Sequence, residues 1–371
     1  MRKTLLLFSL LAFLASPMVA VPEAEAARDG KVKVSKVKAK AKAKAKAKSK
    51  KSKHALKAKA KKKLSRAGKQ KKVVAKPVMT PLRAVSYDKS WHDDDLNLRS
   101  AAALVVDQKT GEALYSKNID IPTSIASITK LMTAMVTLDA ELDLNEEIEI
   151  GGEDVDRLKG TRSRLALGTT LTREELLHLA LIASENRAAA ALSRAYPGGR
   201  GAFIAAMNRK AREIGMKESH FIDGTGLHSG NRATAADLVK MVDAAYRYPL
   251  IRQITSTGSY DVSVPGTRVV RVRENGKVRR VARSVQRHIA FVNTNSLTRN
   301  QDWDIGVSKT GYINEAGHCL VMQTRIAEQK VIIVLLDSLG KWTRIGDAQR
   351  IRKWLEHDNR VASHHPSRSS T

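Results

Sequence analysis

The stretch Ser124-Ile-Ala-Ser-Ile-Thr-Lys-Leu-Met-Thr-Ala-Met-Val136 decides how the rest of the chain is read. Ile128, Leu131, Met132, Met135 and Val136 point in nearly every direction around a helix, so the spacing predicts a buried helix. A lysine in its first turn is unusual. Ser127 and Lys130 stand three apart, which puts Oγ and Nζ on one face within reach of each other. Desolvation lowers a lysine pKa and turns the amine into a base, and a serine beside it becomes a candidate nucleophile. The plain alternative is a helix cap followed by a lysine that reaches out to water. Spacing alone does not choose, because Ser35/Lys38, Ser86/Lys89 and Ser338/Lys341 repeat it.

The regions on either side set the context. Arg2 and Lys3 precede the short apolar run Leu5 to Ala15, and Ala24-Glu-Ala26 fits a cleavage signal. Residues 1–26 therefore read as a secretory signal peptide, which predicts a periplasmic protein, soluble or peripherally associated. No other run is long enough to cross a bilayer. Residues 27–85 read as a disordered basic segment. From 28 to 77 there are 23 Lys or Arg and one acid, Asp29, a net of +22 out of the chain's +29. Such a segment has almost nothing to bury. Its expected partner is an anionic envelope polymer, or else it is a solvated tether; with export, nucleic acid is not an expected natural partner. The single cysteine, Cys319, sits in a core-strand pattern and reads as a buried thiol.

The folded part is expected over 86–358, with sheet at 98–120 and 260–358 around a helical lobe of about 140–255, and a flexible tail at 359–371. Ala101–Asp107 and Glu112–Ser116 read as strands joined by a turn at Gln108–Gly111. Thr172-x-x-Glu175 is a capping box, and it opens a helix that breaks at Ser184-Glu-Asn186 before resuming as Ala188–Tyr196. A second capping box at Thr234 and Asp237 predicts a helix to about Tyr248. An arginine-rich hairpin spans 262–288 and turns at Glu274-Asn-Gly-Lys277, with Val269, Val270 and Val272 facing Val278, Val281 and Val285. It reads as a solvated face or as a grip on an acidic polymer. Three strands follow, at Trp303–Tyr312, Leu320–Ile326 and Val331–Leu336, antiparallel by their short connections, and then a helix from about Arg344 to Glu356.

Ser184-x-Asn186 falls at a helix–helix corner and Lys309-Thr310-Gly311 on a strand, both downstream of Ser127. The decoys fail on context. Lys109-Thr-Gly111 lies in a hairpin turn ahead of the serine helix, and Ser229-Gly-Asn231 lies in a glycine-rich loop. Together, Ser127-x-x-Lys130, Ser184-x-Asn186 and Lys309-Thr310-Gly311 resemble the three-part signature of penicillin-recognising serine hydrolases. Asn293-Thr-Asn295 and Tyr312 followed by Ala316-Gly-His-Cys-Leu320 extend the likeness over roughly 95 to 357, to the low-molecular-mass penicillin-binding proteins and, within them, the soluble D-alanyl-D-alanine endopeptidases.

The resemblance implies a mixed α/β, β-lactamase-like fold: an antiparallel five-stranded sheet with helices on both faces, a helical lobe, and the active site between them. It implies Ser127 as nucleophile, Lys130 as base, Ser184 as proton relay and Asn186 as a hydrogen-bonding partner of Lys130 and substrate. Lys309 would supply a positive field that keeps Lys130 deprotonated. Thr310 would bind a carboxylate, Gly311 completes the substrate-binding strand, and the backbone N–H groups of Ser127 and Tyr312 would form the oxyanion hole. No cofactor and no metal is implied. The substrates would be peptidoglycan peptides. No Glu-x-x-x-Asn text lies between Asn186 and Lys309, so β-lactams would act as lasting covalent inhibitors. The alternatives are a D-alanyl-D-alanine carboxypeptidase, a β-lactamase, and a non-catalytic polycationic envelope-binding protein.

Overall fold

Alternation of side chains along the strands builds two cores from one sheet. In the computed structural model, which describes residues 96–364 together with Lys72, Lys76 and Pro77, β1 (Ser100–Asp107) sends Leu104 and Val106 to one face and Ala103 and Val105 to the other. β2 (Ala113–Lys117) pairs with β1 across the tight turn, where Gly111 takes φ +79°. Asp107 Oδ1 accepts from the Lys109 and Thr110 amides, so the Lys109-Thr-Gly111 decoy is a structural turn.

Short strands β3 (Thr123–Ser124), β4 (Glu147–Glu149), β5 (Thr170–Thr172) and β6 (Arg232–Ala233) brace loops. α1 (Thr129–Asp139) carries Lys130. α2 (Arg173–Ile182) begins with the full capping box, Thr172 Oγ1 accepting from the Glu175 amide and Glu175 from the Thr172 amide. α3 (Asn186–Arg194) and α4 (Gly199–Glu213) follow. The second capping box is only half formed. Thr234 caps α5 (Ala235–Tyr246), but the Asp237 carboxylate turns instead to the Glu218 amide and the Ser219 hydroxyl. The helix ends at Tyr246 rather than near Tyr248. Pro249 holds Tyr248 extended and opens a new helix, α6 (Pro249–Ser256), absent from the sequence reading.

β7 (Ser259–Glu274) and β8 (Lys277–Val292) pair only with each other, so the sheet expected from 260 onward begins later. Their two-residue turn, Asn275-Gly276 with φ +51° and +73°, sets a register in which Val270 faces Val281 but Val269 faces Ala282 and Val272 faces Arg279. The main sheet is completed by β9 (Asp304–Ile313), β10 (Gly317–Ile326) and β11 (Gln329–Ser338), all antiparallel, in the order β2-β1-β11-β10-β9. β9 is therefore an edge.

α7 (Thr343–His364) covers one face of the sheet through Ala348, Ile351 and Leu355. The helical lobe covers the other face. α7 runs past Glu356 into the residues expected as tail. Residues 1–26, read as a signal peptide, and nearly all of the lysine-rich segment lie outside the described residues; Lys72 and Lys76 pair with Glu174 and Asp139 on the helical lobe.

One buried carboxylate ties α7 to the start of β1. Asp347 is wholly buried and accepts from the Ser100 amide (2.8 Å), the Ser100 hydroxyl (2.6 Å) and the Arg99 amide (3.1 Å). Asp347→Ala strands these donors. Chemical denaturation is expected to find the variant about 2–3 kcal/mol less stable.

Candidate active site

The serine stands in a 3₁₀ turn, Ala126–Ile128, just before α1, and not within the α-helix itself. Ala126 takes φ +47°, a left-handed angle that presses the turn outward. Two glycines make room for it. A methyl on Gly311 would sit 2.8 Å from the Ile125 carbonyl oxygen and 3.2 Å from the Ser127 nitrogen, and one on Gly226 would sit 2.0 Å from the Ala126 oxygen. Gly311 thus lets edge strand β9 lie directly against the serine turn.

Lys130 is wholly buried. Its Nζ lies 2.7 Å from Ser127 Oγ, 2.8 Å from Asn186 Oδ1 and 2.6 Å from the Thr225 carbonyl oxygen. Burial pulls its pKa from the usual lysine value down to about 7, against the opposing charges of Asp223 and Glu185. Of the three partners, the carbonyl of Thr225 can only accept. Asn186 also accepts through Oδ1, since its Nδ2 donates to Thr161 Oγ1 (2.9 Å). A neutral amine has two N–H groups for these two acceptors. Its lone pair is then left for the one partner that carries a proton, the Ser127 hydroxyl. The geometry permits serine activation by a neutral lysine.

Ser184 occupies the corner between α2 and α3 at φ +60°. Its Oγ accepts from Lys309 Nζ (2.9 Å), which also donates to the Thr310 carbonyl (2.9 Å). Lys309 too is buried, and its pKa lies well below the usual lysine value, first through burial and then through the charges of Lys130 and Arg344. This revises the expectation that Lys309's field keeps Lys130 neutral: burial is the first cause at both lysines. The Thr310 hydroxyl donates to Thr294 Oγ1 (2.6 Å). Tyr312 projects from β9, with its ring stacked on His318 at 4.3 Å.

These elements enclose a cleft of about 530 Å³ onto which Ser127, Ser184, Asn186, Thr310, Gly311 and Tyr312 open. Arg299, Lys341 and Arg344 line it as well, and no carboxylate among the described residues does, so its charge suits an anion. Sequence reading missed Arg344, whose Nη1 donates to the Gly311 carbonyl (3.3 Å). It also missed Thr294 and the Thr225 carbonyl. Asn231, the decoy asparagine, shapes the Thr225 loop by accepting from the Ile222 and Asp223 amides while donating to Thr129 Oγ1. Cys319 is buried outside this chemistry, its thiol pushed up to about 11 by desolvation.

Residues 88–340 match the peptidase family S11, described as D-alanyl-D-alanine carboxypeptidase. The chain belongs to this family. It is a serine peptidase, a hydrolase, with the β-lactamase-like fold of its structural neighbours. It is 44% identical over 259 residues to a D-alanyl-D-alanine endopeptidase of Pseudomonas aeruginosa, a match covering 70% of this chain and 78% of the relative. The DD-transpeptidase of Streptomyces K15 superposes with a TM-score of 0.59 at 28% identity, covering 69% of this chain and 97% of that one. Penicillin-binding protein D2 of Listeria monocytogenes, solved in its ampicillin-bound form, superposes at 0.55 with 26% identity, covering 69% and 96%.

The contact of Gly311 with the serine turn is open to test. Gly311→Ala is expected to displace that turn, slowing covalent labelling by a fluorescent penicillin on the order of 10²-fold and lowering the thermal unfolding midpoint, because the clash is with backbone.

Proposed function

We propose that this protein is an exported serine endopeptidase that hydrolyses D-alanyl cross-links in peptidoglycan through an ester on Ser127. The observation that carries the reading is the hydrogen-bond pattern at Lys130, whose two obligate acceptors leave its lone pair for Ser127. Ser127 Oγ attacks the carbonyl carbon of the D-alanine, and its proton passes to Lys130 Nζ. The developing oxyanion lies between the backbone N–H groups of Ser127 and Tyr312, the latter on the edge strand. The adduct collapses, the C–N bond breaks, and the departing amine takes a proton through Ser184. Water then cleaves the ester and restores Ser127.

Asn186 holds Lys130 and bonds the substrate backbone. Thr310 and Arg344, which open on the cleft, receive the carboxylate of the peptide, with Lys309 buried behind them. The name of the 44% identical relative favours internal cross-links over terminal residues as the target. β-lactams enter the same acylation and remain, as covalent inhibitors. Export through residues 1–26 accords with a substrate found outside the cytoplasm.

The sign of the pH dependence follows from Lys130. Its depressed pKa keeps the amine neutral above about pH 7 and protonates it below, so acylation requires the higher range. The second-order rate of penicillin labelling is expected to rise with pH along a limb centred near 7. A limb centred near the ordinary lysine value would remove Lys130 from the role of base.

Digestion of purified cross-linked muropeptide dimers, followed by mass analysis, tests the substrate. Monomers are expected from the wild type and none from Ser127→Ala. Loss of a single alanine from pentapeptides with dimers left intact would make the enzyme a carboxypeptidase instead.

A further inference from the structure

The arginine-rich hairpin takes no part in this chemistry. Between Gly266 and Arg287 it carries eight basic residues and one acid, Glu274. At its root Val262, Val264 and Phe291 are buried in the main core. From Gly266 to Arg287 no described side chain is buried, and the two strands pair only with each other. An isolated two-stranded ribbon is marginal in water.

This ribbon is burdened further. Arg268 lies directly opposite Arg283, and Arg271 opposite Arg280, so like charges repel across both faces. None of its seven arginines forms an ion pair among the described residues. An external anionic partner would relieve that repulsion.

Valines decide between classes of partner. Val269 and Val278 are each 63% exposed on one face of the ribbon, Val278 beside the turn and Val269 nearer the root, and Val281 is 41% exposed on the other face. A soluble polyanion would use the arginines and leave these valines in water. A phospholipid surface engages both: phosphates pair with the guanidinium groups, the valines enter the acyl boundary, and the arginine stems lie along it with their charges at headgroup level. We propose that the tip of this ribbon is a docking surface for an anionic phospholipid bilayer.

The full chain is tested, with an environment-sensitive fluorophore on Glu274→Cys; the buried Cys319 does not compete for the label. The lysine-rich residues 28–77 attract any variant to anionic vesicles, so the tip's surroundings are read rather than binding. A blue shift is expected with vesicles of phosphatidylglycerol and phosphatidylcholine, but not with phosphatidylcholine alone or with soluble polyphosphate. Adding Val269→Thr, Val278→Thr and Val281→Thr, isosteric changes to a strand-forming residue, should abolish the shift at an unchanged thermal midpoint. An absent shift on anionic vesicles, an equal shift with polyphosphate, or a full shift in the threonine variant would each overturn the proposal. None of these readouts depends on the peptidase reaction.

Discussion

A primary amine removed from water is the constraint on which this molecule turns. Lys130 sits in the first turn of a helix with no solvent-facing side, and burying a charge there without partners would be prohibitive. The fold meets the cost by lowering the charge and supplying acceptors from two distant segments, the Asn186 corner and the Thr225 loop. Each acceptor then needs support of its own. Asp223 accepts from the amides of Thr225, Gly226 and His228, Asn231 fastens that loop to Thr129, and Thr161 orients Asn186. Three segments of the helical lobe thus converge on one nitrogen.

The second constraint is steric. The serine turn is held between Gly226 on one side and edge strand β9 on the other, each approaching closer than a side chain would allow. The glycine of Lys309-Thr310-Gly311 is therefore a packing requirement, and it brings the threonine beside it to the cleft with the buried lysine next behind. Strand β9, the Gly226 loop and the serine turn meet because three backbones can touch at this point.

Much of this was legible in the sequence, and the reasons are local. The Thr172 capping box, the Asn275-Gly276 turn and the alternation in the sheet strands each depend on residues a few positions apart. Ser127, Ser184 and Lys309 were found through spacing and order. What escaped the reading depends on distant or chemically silent groups. The Thr225 carbonyl is backbone, which any residue supplies. Arg344 reaches the cleft from a terminal helix read only for its apolar stripe. Thr294 matters through a hydroxyl that meets Thr310 across two elements. The valine pairing of the hairpin was misjudged because the two-residue turn, and not apolar matching, sets the register.

Ala126 and Ser184 both adopt left-handed backbone angles although neither is glycine. Each such residue costs of order 1–3 kcal/mol; Ala126 precedes Ser127, and Ser184 is itself the residue proposed to relay the proton. The native state therefore carries a local penalty that the two packed cores must overcome. Selection for thermal stability alone would favour glycine at both positions, which would loosen the serine turn at Ala126 and remove the corner hydroxyl at Ser184. In this protein the most stable sequence and the best-poised active site are different sequences.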